Sequence, residues 1–281
     1  MKLLTDLRQR LDDASHARTW RAANPLDPPS DDPKVIYAIP LVSRRRSDDW
    51  DVVETNLART MEALHRQTDP NWTALICGQD QPERVTFGDN VRFLPSDASD
   101  KFNDRPEKAR QLAGHVLDTE TGDGYLFPLD ADDLPHPRLT AHMRTDNNGH
   151  GYLIDKGYMY DAATGRLAVL QPSNRQFPKA KRFYNHCGSS AAYRYDLRSG
   201  ADFTGLLIER EIHKQVARHA RRYGFRLALV PFHAMAYIVN HGENLREKRG
   251  SLHRKMTHFD KNALPPEMAE EVRKVFHLPS P

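Results

Sequence analysis

The chain has 281 residues, 28% of them charged and 38% hydrophobic, with a formal net charge of +3. This composition excludes a disordered chain, and no apolar run approaches the roughly 20 residues needed to cross a bilayer. Two cysteines, Cys77 and Cys187, cannot form a disulfide framework, and residues 1–21 lack a signal-peptide core. We therefore expect a globular protein in a reducing cytoplasm.

Arginine is locally dense in three stretches of the chain, at 44–46, 218–222 and 246–254. Such clusters could meet nucleic acid, anionic lipid headgroups or phosphates, although they are more often solvated surfaces. No nucleic-acid motif with interleaved aromatic residues accompanies them, so we expect no nucleic-acid partner.

The first predicted element is an amphipathic helix over residues 2–22. Leucines recur at helical spacing within it, at Leu3, Leu4, Leu7 and Leu11. A proline-rich linker follows and runs to Pro33. The pattern leaves open whether this helix packs on the same chain or on another subunit.

A strand, a helix and a second strand follow, at residues 34–40, 50–67 and 71–78. This is a βαβ unit, which predicts a parallel sheet. A third strand is predicted at 91–94 and a helix at 105–116.

The next apolar run, Tyr125 to Leu129, is predicted to be a buried strand, and it stops at three carboxylates, Asp130, Asp132 and Asp133. Acids this close raise each other's pKa values unless a cation joins them. Ligands bind at the carboxyl ends of strands in open α/β sheets. Carboxylate oxygens there suit Mg²⁺ or Mn²⁺, which can hold a diphosphate. The alternative is an acidic turn that caps the following helix.

The remaining elements are shorter and more mixed in type. Helices are predicted at 137–144, 206–223 and 266–276, strands at 152–154, 157–160, 167–170, 225–230 and 234–239, and a loop at 174–180.

The Asp-x-Asp-Asp sequence after an apolar strand resembles the DXD motif of GT-A glycosyltransferases, especially those of family 2, and the likeness covers about residues 34–245. It implies an α/β, GT-A (Rossmann-like, nucleotide-diphospho-sugar transferase) fold with a mostly parallel central sheet flanked by helices. Under this resemblance the chain divides into an N-terminal helix and linker, 1–33, a GT-A domain, 34–247, and a basic tail with a short helix, 248–281.

The resemblance implies a metal-dependent inverting glycosyltransferase and suggests donor-binding residues. Pro40 stands where the family's first strand ends near the nucleotide, and Asp80 stands where the family often places a base-binding acid. Lys108 and Arg110 lie in a stretch that faces the nucleotide, and either would neutralise a diphosphate. Asp130 would contact the ribose or the water shell of the metal.

The metal implied by the resemblance is Mn²⁺ or Mg²⁺, bound by Asp130, Asp132 and a late histidine, His241, with Asp133 completing or orienting the shell. His241 follows the last predicted strand, and imidazole suits Mn²⁺ better than Mg²⁺. The small residues of 187–190 would let the backbone approach a bound sugar.

Matching the family's acidic pair makes Glu209 the catalytic base, with Glu211 as second choice. The base would activate an acceptor hydroxyl while the nucleotide leaves. The alternative is that both acids only complement a helix dipole.

The implied partners are a nucleotide-sugar donor, most simply a UDP-sugar, and a glycan or lipid-linked acceptor. The family's usual setting is surface polysaccharide synthesis, in the cytoplasm, with a peripheral contact to the inner membrane through the basic tail left open. One alternative is a sugar nucleotidyltransferase, although residues 39–43 lack the glycine of a phosphate loop. A catalytically silent nucleotide- or carbohydrate-binding protein is the other.

Overall fold

A computed structural model describes residues 15–25, 27–99, 104–198, 200, 213–243 and 253–279. Its central sheet is mostly parallel and is flanked by helices, which confirms the predicted α/β class. The described residues form two sheets that meet at the acidic turn.

The central sheet has seven strands in the order β10-β6-β9-β4-β1-β2-β3. Their bounds are β1 Lys34–Pro40, β2 Trp72–Gly78, β3 Val91–Pro95, β4 Asp123–Pro128, β6 Gly151–Leu153, β9 Ala191–Asp196 and β10 Ala228–Leu229. Only β9 is antiparallel to its neighbours, β4 and β6.

The second sheet has four strands in the order β5-β11-β7-β8. Their bounds are β5 Leu134–Pro135, β7 Gly157–Asp161, β8 Leu167–Leu170 and β11 Met235–Val239. The strand β5 begins directly after the acidic turn and pairs with β11.

The helices cover the two faces of the central sheet and the outer side of the second one. Residues 15–23 form α1, followed by α2 Trp50–His65, α3 Arg105–Thr119, α4 Leu139–Asp146, α5 Val216–Arg222, α6 His253–Asn262 and α7 Pro266–Phe276. Single 3-10 turns occur at Arg44–Arg46, Phe183–Asn185 and His213–Gln215.

Successive residues of β1 point to opposite faces of the sheet, as the pleat requires. Tyr37 and Ile39 join one hydrophobic cluster, which includes residues of α2, whereas Ile36 and Ala38 join a second, which includes residues of α3. Because both faces are covered, β1 and β2 are apolar along most of their length.

Three strands depart from the sequence prediction, one of which is the two-residue β5, which was not predicted. β9 was not predicted, and it carries Arg194, a fully buried arginine that pairs with Asp123 and Asp196. A charged pair inside a strand hides the apolar pattern from which strands are predicted. The strand predicted at 225–230 contains only the two residues of β10.

The described part of the N-terminal helix, α1, packs on its own chain. The Trp20 ring lies 5.3 Å from the Tyr223 ring and 6.0 Å from the Phe225 ring, measured between centroids. The leucines that predicted this helix, at residues 3–11, lie outside the described residues.

The C-terminal region contains two described helices, α6 and α7, where one was predicted. They pack on the second sheet through Leu264 and Phe276, and the Leu264 amide donates to the Leu167 carbonyl over 2.9 Å. In the described part of the chain, no helix combines the length and the apolar composition needed to cross a membrane.

Candidate functional site

The acidic turn lies at the edge where the parallel strands β1, β2 and β4 end. The Leu129 amide still donates to the Ala38 carbonyl of β1, over 2.9 Å. The chain then turns, with the Asp133 amide donating to the Asp130 carbonyl over 3.2 Å, and enters β5. The carboxylates therefore lie between the central sheet and the second sheet.

The backbone of the turn is held from two sides. Thr60 of α2 is buried, and its hydroxyl lies 3.0 Å from the Ala131 carbonyl and 3.2 Å from the Asp133 carbonyl. On the other side, the Asp130 amide donates to Ser189 Oγ over 2.8 Å. These contacts preorganise the turn without using its carboxylates.

Two of the acids have cationic or imidazole partners. Asp130 accepts from the Arg105 guanidinium over 2.6 Å. Asp132 Oδ2 lies 2.8 Å from His241 Nε2, although the two residues are 109 positions apart. The second contact joins the end of β4 to the end of β11, and thus one sheet to the other.

Asp133 is fully buried and lies in a different environment. Its Oδ2 accepts from Ser189 Oγ over 2.6 Å and from Cys187 Sγ over 3.0 Å, whereas its Oδ1 has no hydrogen-bond partner among the described residues. Burial, followed by the charges of Asp132 and Asp130, raises the pKa of Asp133 well above its usual value. The protonated acid is therefore favoured, and its contacts are structural.

A cleft of about 320 Å³ opens beside the turn, within the size range of small-molecule sites. Its walls come from the end of β1, the acidic turn, the start of α3 and the loop after β11. Polar groups on these walls include Arg105, Asp130, Asp132, His186, His241 and Glu243.

Only some of the predicted donor-binding residues line the cleft. Pro40 lines the cleft, together with Asp130. Asp80 is half-buried outside the cleft lining, and its Oδ2 accepts from the Arg44 amide over 2.7 Å. Arg110 is exposed on α3 and does not line the cleft.

Lys108 is buried, and its ammonium group contacts the protein rather than the cleft. Its Nζ lies 2.6 Å from Asp104 and donates to the Leu41 carbonyl over 2.5 Å. Lys108 thereby ties the loop after β1 to α3, and the geometry lends no support to its predicted contact with a diphosphate.

Arg105, which sequence reasoning did not single out, is the one arginine among the described residues that lines the cleft. It is 45% exposed and so can reach a ligand. A Cβ atom on Gly188 would lie 3.0 Å from both Arg105 Nη2 and Asp130 Oδ2. Glycine at this position leaves room for the ion pair; the nearest sequence signal was the run of small residues at 187–190.

Glu243 is a second residue that sequence reasoning missed. Its carboxylate accepts from the amides of Asp48 and Asp49, over 2.7 and 2.6 Å, at the beginning of α2. A carboxylate is favoured at a helix N-terminus. Glu243 thereby fastens the loop that carries His241 to the opposite wall of the cleft.

His186 is a neutral imidazole in the cleft wall. Burial, followed by the proximity of His258, lowers the pKa of His186 to about 3. Its Nε2 is buried and has no hydrogen-bond partner among the described residues.

The predicted metal ligands form two adjacent groups in the described part of the chain. The atoms that lie within 4.8 Å of one another belong to Asp130, Asp133 and Cys187, while Asp132 is paired with His241. Burial raises the pKa of the Cys187 thiol well above its usual value, which disfavours it as a ligand for a hard cation. Carboxylates and an imidazole fit Mn²⁺ or Mg²⁺ better.

The predicted bases, Glu209 and Glu211, lie outside the described residues. Their assignment therefore stays a prediction.

No protein-family model matches the chain, and no curated protein matches it. Among solved structures, a 4-diphosphocytidyl-2C-methyl-D-erythritol synthase is similar at 16% identity and a TM-score of 0.35, over 86% of this chain and 98% of that one. A Francisella tularensis 2-C-methyl-D-erythritol 4-phosphate cytidylyltransferase is similar at 10% identity and a TM-score of 0.36, over 79% of this chain and 99% of that one. At these values the likeness decides neither family nor function.

Proposed function

We propose that this protein is a metal-dependent inverting glycosyltransferase that uses a nucleotide-diphosphate sugar. The observation that carries the proposal is the 2.8 Å contact between Asp132 and His241 in the wall of the cleft. The likeness to the GT-A DXD motif implied these two residues as metal ligands, and they come from strands of different sheets. The proposed acceptor is a glycan or lipid-linked hydroxyl.

Asp130, Asp132 and His241 would hold the divalent ion, as the resemblance implies. When bound, Mn²⁺ or Mg²⁺ supplies Lewis acidity that offsets the negative charge of a departing diphosphate. Asp133 would keep the turn in place through Ser189, whose hydroxyl accepts from the Asp130 amide and donates to Asp133.

Arg105 would bind the diphosphate directly. Among the described residues, its guanidinium is the one arginine group that lines the cleft, and it already forms an ion pair with Asp130. A planar guanidinium pairs well with phosphate oxygens. The proposed charge partner of the donor is therefore Arg105 rather than Lys108 or Arg110.

The acceptor hydroxyl must lose a proton as the nucleotide leaves, which requires a general base. Glu209 is proposed for this role, with Glu211 as second choice, on the family resemblance alone.

The second candidate is a sugar nucleotidyltransferase, the alternative that the sequence left open. One of the two solved structures described above is by its name a cytidylyltransferase, but its likeness to this chain is too low to carry an argument. Against it, residues 41–46, which follow β1, contain no glycine, so they lack the usual backbone cradle for phosphates.

An assay of the two leaving groups separates these functions. With UDP- and GDP-sugars and Mn²⁺, a glycosyltransferase releases a nucleoside diphosphate; with CTP or UTP and a sugar phosphate, a nucleotidyltransferase releases pyrophosphate. We expect diphosphate release, with a loss of about 100-fold in Asp132→Asn and in His241→Gln because each removes a proposed metal ligand.

Asp118→Asn is the matched control, since Asp118 is an exposed carboxylate on α3. Pyrophosphate release without diphosphate release would replace the proposal by the second candidate. Binding of UDP in calorimetry with neither activity would indicate the catalytically silent protein.

A further inference from the structure

The surface formed by α1 and α5 is strongly basic. Residues 15–25 and 213–226 contain seven arginine and lysine side chains and no aspartate or glutamate, although the whole chain has a net charge of only +3. Six of the seven are exposed. We call this surface the basic face, and it consists of Arg18, Arg21, Lys214, Arg218, Arg221 and Arg226.

The two segments form one continuous surface because they pack on each other. The ring centroids of His16 and Trp20 lie 6.4 and 5.3 Å from that of Tyr223, at the end of α5. The Arg21 side chain approaches to 2.9 Å of the position that a Cβ atom on Gly224 would occupy. The cations of α1 therefore lie beside those of α5.

Arg218 and Arg221 form a stripe on α5, since their spacing is that of neighbours on a helix, and Lys214 lies in the 3-10 turn directly before the helix. Val216 and Ala220 are buried beneath that stripe. Like charges at this spacing destabilise a helix, and Lys214 precedes the first turn, where the helix dipole disfavours a cation. Folding alone does not explain this arrangement, whereas an anionic partner would offset its cost.

We propose that the basic face binds the anionic headgroups of a lipid bilayer. Leu229 is 50% exposed on β10, at the edge of the central sheet and three residues from Arg226. An exposed leucine close in sequence to a cation of this face suits an interface of acyl chains and headgroups. A single-stranded nucleic acid would instead need aromatic rings for stacking, and the rings within this surface, Trp20 and Tyr223, are buried.

The basic face begins at the cleft. His213 lines the cleft, and Lys214 is the next residue. A bilayer bound to this face would therefore lie at the rim of the site. The proposed lipid contact rests on the charge and the exposure of the basic face, and it does not depend on the proposed enzymatic activity.

The test is co-flotation of the full chain with vesicles of phosphatidylcholine alone and of phosphatidylcholine mixed with phosphatidylglycerol. We expect binding to the anionic vesicles only, and its loss at high salt because exposed charges are then screened. The double variant Arg218→Glu, Arg221→Glu should bind at least about tenfold more weakly. The matched control is Lys261→Glu, Lys274→Glu, which reverses two exposed lysines on α6 and α7 and should bind like the wild type.

Circular dichroism and thermal unfolding show whether each variant is folded. A milder pair, Arg218→Gln and Arg221→Gln, should weaken binding while leaving the melting temperature equal to that of the wild type or higher, because it removes like-charge repulsion. Three results would overturn the proposal: no binding to anionic vesicles, equal binding by the double variant, or binding to a fluorescent oligonucleotide in preference to the vesicles.

Discussion

The three carboxylates of the acidic turn differ because each meets a different partner. Asp130 pairs with Arg105, and Asp132 pairs with His241. Asp133 is enclosed with Ser189 and Cys187. The mutual repulsion expected from the sequence is thus relieved in three ways, one of which is protonation of the buried acid.

Replacing Asp133 by asparagine tests that protonation. A raised pKa means that the acid stabilises the native wild type below the unfolded pKa, and that this contribution is lost as the pH rises through the folded pKa. Asp133→Asn does not titrate. Its free energy of unfolding relative to that of the wild type should therefore rise with pH, by at most about 1.4 kcal/mol per unit.

Denaturant unfolding in EDTA at several pH values measures this difference. Asp118→Asn, which changes an exposed acid of α3, should show no comparable trend. A difference that stays constant with pH would mean that Asp133 is ionised in the native state.

Removing the Arg105 charge should weaken the binding of a diphosphate. We expect Arg105→Gln to lower the affinity for UDP and for inorganic pyrophosphate by about 10- to 100-fold, as for the loss of a charged hydrogen bond. Calorimetry without metal measures the effect. Arg110→Gln, on the exposed side of α3, should leave both affinities unchanged; an equal loss in that variant would point to long-range charge instead of a direct contact.

At the scale of elements, β9 depends on a buried ion network. Arg194 is 1% exposed and donates to Asp123 over 2.8 Å and to Asp196 over 3.0 Å. It also donates to the Asp27 carbonyl of the N-terminal linker, over 2.5 Å. One side chain therefore holds two strands and the linker together.

Arg194→Ala should lower the free energy of unfolding by about 3–5 kcal/mol, because it leaves the buried Asp123 without its closest cationic partner. The control is Arg198→Ala, which removes a 36% exposed arginine that contacts the same acids and should cost about 1 kcal/mol or less. Urea unfolding of both variants tests the ranking. Equal losses would show that the burial of Arg194 is not what stabilises the network.

At the scale of the whole molecule, the N-terminal helix belongs to the packed structure. Ala17 and Trp20 join the hydrophobic cluster that includes Tyr223 and residues of α3. This packing also sets the cations of α1 beside those of α5.

Trp20→Ala should lower the free energy of unfolding by about 3 kcal/mol, as for other large aromatic residues truncated in a core. Trp20→Phe keeps most of the apolar contact and should cost clearly less. Denaturant unfolding at two protein concentrations is the measurement. A loss that appears only at the higher concentration would indicate that the helix packs on a second copy of the chain.

The sequence by itself determined the central strands and the position of the acidic turn. Continuous apolar runs predicted β1 at Lys34–Pro40 with the bounds that the structure has, and β2 at Trp72–Gly78 to within one residue. The prediction of these strands succeeded because burial on both faces of a sheet demands apolar residues at consecutive positions. The carboxylates and prolines after Leu129 are themselves enough to end a strand.

Only the tertiary structure decided which side chains meet. The contacts Asp132–His241 and Ser189–Asp133 span 109 and 56 positions, and Arg105 reaches Asp130 from the start of a separate helix. Local periodicity records which face of an element is buried, but not which element covers it. For the same reason the sequence did not predict β9 or the burial of Lys108. A charged residue can be buried only where the fold places partners beside it, and some of those partners are distant in the sequence.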